Sequence, residues 1–145
     1  MRLDTTTPSR PHPVHPHAAV VAGLVNDGSA LAVARAALAE AQERGGRITF
    51  VQVVAPGLGA EERADANEGT FHAAMVVLRG HPQVHSTFEV VMGDVAQTLV
   101  NRSRDAGILI VGEDDPASRA GVARYCQEHA DCEVRTVTAD APEPL

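Results

Sequence analysis

The sequence predicts an α/β domain: a single doubly wound, five-stranded parallel sheet, strand order 3-2-1-4-5, with helices on both faces. Three observations lead there. Strand-like and helix-like segments alternate along the chain, so that each strand returns to the sheet through a helical crossover. Most of the strand segments are continuous apolar runs, the pattern of strands covered on both sides. The 145 residues, 44% hydrophobic and 21% charged, are about one domain's worth and enough to bury a core.

The first strand is "AAVVAGLV", Ala18 to Val25, apolar throughout. "NDGS" follows, with Asp27 or Ser29 placed to cap a helix. That helix runs from Ala30 to about Arg44, its inward stripe expected as Leu31, Ala34, Leu38 and Ala41, and "RGG" ends it. "RITFVQVVAP", Arg47 to Pro56, is rich in β-branched residues and predicts the second strand. "GLGAEERADANEG" has no clear period and reads as a loop or a frayed turn. Phe71 to Arg79 predicts a helix with Phe71, Met75 and Leu78 on a core-facing side. Val84 to about Met92 alternates apolar with more polar residues, which places the third strand at or near a sheet edge.

Asp94 with Gln97 three residues later forms a capping box and opens the third helix. "AGILIVG" is the fourth and most apolar strand. A helix from about Ser118 to Ala130 and a fifth strand, "CEVRTV", complete the domain, which spans residues 18–138. Residues 1–17 are a Pro- and His-rich arm expected to be disordered, and residues 139–145 a flexible acidic tail.

Composition excludes several classes of function. A net charge of -7 argues against a sequence-independent nucleic-acid binder. No stretch is long and apolar enough to span a membrane, and the polar N-terminus lacks the apolar segment of a signal peptide, so a cytoplasmic protein is expected. Cys126 and Cys132 match no zinc or disulfide framework; they read as reduced structural thiols, with a redox pair as the alternative. His12, His15 and His17 are near enough to share a metal ion, but closing a flexible arm around an ion costs entropy, and no metal site is assigned. Ser29 and Ser103 lie in no G-x-S-x-G elbow, and no catalytic residue is assigned.

In a sheet of this order the ligand crevice opens at the C-terminal ends of the first and fourth strands. The loops to inspect are therefore "NDGS" and "GEDDPASRAG". The second delivers Glu113, Asp114 and Asp115 to a place where anionic ligands are usually welcomed.

Several segments resemble the universal stress protein family. "VVAGLVNDGSALAVARAALAEAQERGGRITFVQVV" is similar to its opening strand, Asp-Gly-Ser turn, Ala-rich helix and second strand. "GDVAQTLVNRSRDAGILIVGE" resembles its third helix and fourth strand, and "VARYCQEHADCEVRTV" its last helix and strand. Together they cover about Ala19 to Val137.

The resemblance implies a choice between members that bind ATP and members that do not. In the binders the loop after the fourth strand resembles G-x-x-G, a spacer, then G-[ST]. Gly112 stands where the first glycine would, but acidic residues and Pro116 follow, the loop is shorter, and Val122 rather than Ser or Thr follows Gly121. Asp27 matches the aspartate that, in binders, resembles a contact to the adenine or ribose side; its alternative is a helix cap. Val53 is placed either to line an adenine pocket or to pack in the core. Asp27, Val53, Gly112 and Gly121 thus form the expected crevice, a degenerate one, with no cofactor.

The function this implies is a non-enzymatic stress-response protein acting through dimerisation and an unidentified protein partner, with no nucleic-acid or membrane role. The alternative is an ATP-dependent switch in which the carboxylates hold Mg²⁺. A third is metal handling through the arm and Cys126. The expected homodimer pairs the last strand about Val134, which sets Glu133 against Arg135 of the other chain.

Overall fold

A computed structural model describes residues 18–25, 29–54, 56–57, 59–114 and 121–138. The arm at 1–17 with its three histidines, Asp27, Asp115 and the tail at 139–145 lie outside the described residues. Nine elements alternate strictly: β1 (Val20–Leu24), α1 (Ser29–Arg44), β2 (Ile48–Val54), α2 (Ala60–Leu78), β3 (Ser86–Met92), α3 (Val95–Arg102), β4 (Ile108–Gly112), α4 (Val122–His129) and β5 (Glu133–Val137). The sheet has the predicted order β3-β2-β1-β4-β5. All four strand pairings are parallel, with Val20 opposite both Ile48 and Ile108.

The period-two alternation of a strand divides the core into two layers. Val20, Ala22 and Leu24 of β1, with Ile48, Phe50, Ile108 and Ile110, join Val33, Ala34, Ala37, Ala41, Ala74 and Val77 of α1 and α2 on one face. Val21, Val51, Leu109 and Val111 point the other way and meet Leu99 of α3 and Ala123 and Cys126 of α4. Each fully buried Val, Leu or Ile contributes about 1.5–3 kcal/mol. The double winding follows from β1, β2 and β4 being apolar at both parities. β3 lies at an edge, as its alternation predicts.

The inward face of α1 differs from the expected stripe. Ala30, Val33, Ala34, Ala37, Glu40 and Ala41 are buried, while Leu31 and Leu38 sit at the margin of the core. Small side chains bring the helix close to the sheet, and the leucines cover the flanks. The segment expected as a loop is the first half of the nineteen-residue helix α2. Its start has its own signal: Glu62 accepts a hydrogen bond from Gly59 N–H at 3.0 Å, and Glu61 and Glu62 favour the helix N-terminus. The hydrophobic period is missing because this half is largely exposed.

The expected core side of α2 is likewise corrected. Thr70, Ala73, Ala74 and Val77 face inward, while Phe71 and Met75 are 48% and 38% exposed. Phe71 instead packs edge-to-face on Phe88 of β3, with ring centroids 5.3 Å apart. Thr70 donates its hydroxyl to the buried Gln52 side chain, which satisfies a polar pair beneath the helix. In α3, Asp94 accepts from Gln97 N–H at 2.9 Å, the first half of the predicted box.

Glu40 is the most deeply placed carboxylate among the described residues, at 4% exposure. Arg44, one turn on, donates to it at 2.8 Å, and Arg135 of β5 reaches it from the sheet. Arg44 also bonds Glu133 at 3.0 Å, so a four-membered network ties the end of α1 to the last strand. The Arg44 hydrogen bond, and then Arg135, hold the Glu40 carboxyl below the usual carboxylate range against the opposing effect of burial. A carboxylate with a depressed folded-state pKa stabilises above its unfolded value of about 4.3 and loses that stabilisation as pH falls through the folded value. The stability gap between the wild type and Glu40→Gln is therefore expected to be full at neutral pH and to shrink as pH drops below about 4. Urea unfolding midpoints across the acid range would check this, and a gap independent of pH would refute it.

Candidate functional site

A cavity of about 250 Å³ opens at the C-terminal end of the sheet, where β1 and β4 lie side by side and their crossovers leave in opposite directions. Gly23, Leu24 and Val25 of β1 and its exit, Val51 and Val53 of β2, and Val111 and Gly112 of β4 form its floor. Val95 and Leu99 of α3, Val122 of α4 and Ser29 of α1 close its sides, and Glu113 and Asp114 lie on its rim. The walls are apolar and the polar groups few, the usual make-up of a small-molecule site.

Two glycines shape this space. A side chain on Gly23 would sit 2.8 Å from Leu99, so its absence lets α3 close over the sheet. A side chain on Gly112 would stand 2.8 Å from both Cβ and Oγ of Ser29. Gly112 is thus required by the close approach of the start of α1, whatever the cavity holds.

The acidic loop after β4 has a definite structural role. Asp114 turns to the first turn of α4 and accepts hydrogen bonds from Ala123 N–H at 2.8 Å and Arg124 N–H at 3.1 Å. The N-cap residue of α4 is Gly121, in the left-handed conformation at φ 56° and with no side chain to cap the helix. The first N–H groups of a helix lack intrahelical partners and carry partial positive charge. The Asp114 carboxylate supplies both the acceptor and the countercharge from nine residues upstream. Glu113 remains exposed, its N–H donating to Val137 O at 2.8 Å. The Arg124 guanidinium is 80% exposed and pairs with Glu128 at 3.4 Å.

Behind this turn lie the two cysteines, both free thiols. Burial, then the Asp114 carboxylate and Cys132, push the Cys126 thiol up to about 11. Burial also raises Cys132. Thiols so disfavoured as thiolates are poor nucleophiles, in keeping with a packing role against α3 and α4. Among the described residues no group of His, Cys, Asp and Glu is arranged to hold a metal ion. Nor, among them, is any helix long and apolar enough to cross a membrane.

No protein-family model matches the sequence, and no curated protein matches it. Solved structures do match the fold. A universal stress protein from Archaeoglobus fulgidus superposes with a TM-score of 0.66 at 22% identity, over 81% of this chain and 96% of that one. A member of the same family from Burkholderia pseudomallei gives 0.63 at 23% identity, over 86% and 98%. The fold is that of the universal stress proteins. A universal stress protein solved in complex with cAMP matches at 0.62 and 20% identity, over 84% of this chain and 97% of that one. Other neighbours of this fold were solved with dAMP and with AMP.

Within the universal stress fold, the structure brings together two of the four expected crevice residues. Val53 and Gly112 line the cavity, and Val53 also packs against the α3–α4 side of the core. Gly121 is not part of the lining but positions α4. Asp27 lies outside the described residues. Sequence reasoning missed Val25, Val95, Leu99 and Val122 as walls. It also read Asp114 as a charge in a crevice or a ligand to Mg²⁺, and not as the cap of α4. The sequence places the start of this helix at about Ser118, and only the packed chain shows that α4 opens on Gly121 and takes its acceptor from Asp114.

Proposed function

We propose that this chain is a small, non-enzymatic stress-response protein of the universal stress type, which acts in the cytoplasm as a homodimer and through a protein partner, with a crevice that does not take ATP. The observation that carries the reading is the seat of Asp114 on the α4 amides. Those amides are what a phosphate would use. A phosphate entering within about 4 Å of the carboxylate meets repulsion of roughly 1–4 kcal/mol per unit charge, depending on how far water screens it. It must also displace a cap that contributes about 0.5–2 kcal/mol. The expected result is no ATP binding in calorimetry at micromolar concentrations, with or without Mg²⁺; a micromolar dissociation constant would refute the proposal.

The dimer proposal rests on β5 as an edge strand. Among the described residues no strand pairs its outer side, so a second copy can pair its backbone about Val134. Glu133 and Arg135 already serve Arg44 and Glu40 within the chain, so backbone pairing rather than a Glu133–Arg135 cross-pair would hold such a dimer.

A second reading is favoured by the intact cavity and by neighbours solved with cAMP, dAMP and AMP. In it the chain is a nucleotide-dependent switch, with Mg²⁺ between the carboxylates and the phosphates. In the same calorimetry, that reading requires ATP binding that disappears with EDTA and with Asp114→Asn.

A further inference from the structure

We propose that the edge formed by β3 and α2 is an interface between two copies of this chain, related by a two-fold axis that pairs their β3 strands antiparallel. This edge lies at the opposite side of the sheet from β5 and goes beyond the dimer proposed there. Exposed apolar surface is the first observation. Of the five large apolar side chains that stay exposed among the described residues, four lie here: Phe71 at 48%, Met75 at 38%, Val90 at 47% and Met92 at 59%. They form one strip. Phe88, Val90 and Met92 alternate onto the α2 side of β3. Phe71 stacks edge-to-face on Phe88, with Met75 one turn further along α2. Contiguous apolar surface on a small domain marks a contact site, where a lone exposed residue does not.

The strand itself is the second. Among the described residues no strand pairs the outer side of β3. Edges that stay free are usually blunted by lysine, proline or other charges. β3, "STFEVVM", has no lysine or proline, and its one charge, Glu89, turns to the other face and pairs with Arg102 at 3.5 Å. β5, by contrast, carries both Glu133 and Arg135. Antiparallel pairing about Val90 would set Val90 against Val90 and Phe88 against Met92 of the second copy, all on the α2 side. Glu89 would then face Val91 rather than its own counterpart.

Charge decides the occupant. Glu61, Glu68, Phe71, Met75 and the C-cap residue Arg79 are exposed and share one face of α2 at the helical period. This face is acidic toward the start of the helix, apolar in the middle and basic at the end. A two-fold axis perpendicular to the sheet lays the two α2 helices side by side and antiparallel. The acidic half of each then meets the Arg79 end of the other, with the apolar strips between them. A face complementary to itself in this orientation fits a second copy.

Sedimentation of the full chain at high micromolar concentration tests the interface, with thermal unfolding to check that each variant is folded. Together with the β5 pairing, a second pairing edge extends the wild-type assembly past a dimer. Val90→Arg puts a charge at the centre of the seam and should weaken β3 association by about tenfold or more, leaving the dimer that β5 supplies. Arg79→Glu should weaken it as well, though less. Reversing three charges together, Glu61→Arg, Glu68→Arg and Arg79→Glu, keeps the complementarity in any register of the helices and should recover wild-type association.

A wild type that stops at a dimer unaffected by Val90→Arg would overturn the inference and leave the β5 dimer standing. A wild-type dimer that Val90→Arg reduces to monomers would support the inference and sink the β5 pairing. A monomeric wild type would overturn both and leave the β3 edge to a strand from another protein. Association indifferent to Arg79→Glu, or not recovered by the triple reversal, would remove a second copy as the occupant of this face.

Discussion

Replacing Phe50 with alanine is expected to destabilise the protein by about 3–5 kcal/mol, the largest effect of any single truncation. The chain has no Trp and three Phe, and Phe50 is the one aromatic ring fully buried, at 1% exposure. It stands on β2, opposite Ala22 on one side and Phe88 on the other. The layer that it fills is otherwise rich in small residues: Ala22, Ala34, Ala37, Ala41 and Ala74 belong to the same cluster. Alanines on rigid helices cannot move in to close the space, so the cavity remains and its cost adds to the lost transfer energy. Against a typical total of about 5–15 kcal/mol, this leaves a marginal fold. Urea unfolding at neutral pH would measure it. Phe88→Ala, at a half-buried edge position, should cost much less. Equal losses at the two sites would show that the core does not depend on Phe50 in this way.

Gly46→Ala is the second large expected effect, and its cause is contact rather than cavity. A Cβ at Gly46 would lie 1.7 Å from the carbonyl oxygen of Ala18 and 2.4 Å from its carbonyl carbon. Both are backbone atoms at the entry to β1, where Val20 N–H donates to Arg47 O at 2.9 Å, so neither chain segment can give way without disturbing the β1–β2 pairing. Overpacking against movable side chains costs about 1–3 kcal/mol, and a clash with fixed backbone belongs at or above the upper end. Its neighbour provides the control. Gly45 has φ +65°, and a Cβ there would meet nothing within 4 Å, so Gly45→Ala faces only the left-handed backbone cost of about 1–2 kcal/mol. Thermal unfolding of the two variants should rank Gly46→Ala clearly below Gly45→Ala. The reverse order would show that the Ala18 approach is not a constraint.

Much of this fold is legible in the residues. The alternation of apolar runs with helical segments, the edge position of β3 and the Asp94 cap depend on residues within a turn or two of each other. Strand order then follows from right-handed crossovers and the usual switch point. The first half of α2 escapes such a reading because exposed helical residues leave no hydrophobic period, and the local marks of its start are the Glu62 bond to Gly59 N–H and the acidic first turn. The "RGG" turn is recognisable as a helix end, yet its two glycines serve different ends, one a backbone conformation and the other a close approach.

The layers of this protein can be read from its residues alone, because periodicity is written within each segment and needs no partner. The roles of its special residues cannot, and it took the packed chain to assign them. Gly112 is glycine because Ser29 of α1 comes within 2.8 Å of where its side chain would be. Phe71 faces outward because alanines bring α2 down onto the sheet. Asp114 is a helix cap as well as a rim charge because the chain folds back nine residues to present α4 amides to it. Each of these is a contact between segments, and its meaning exists only once the two surfaces meet.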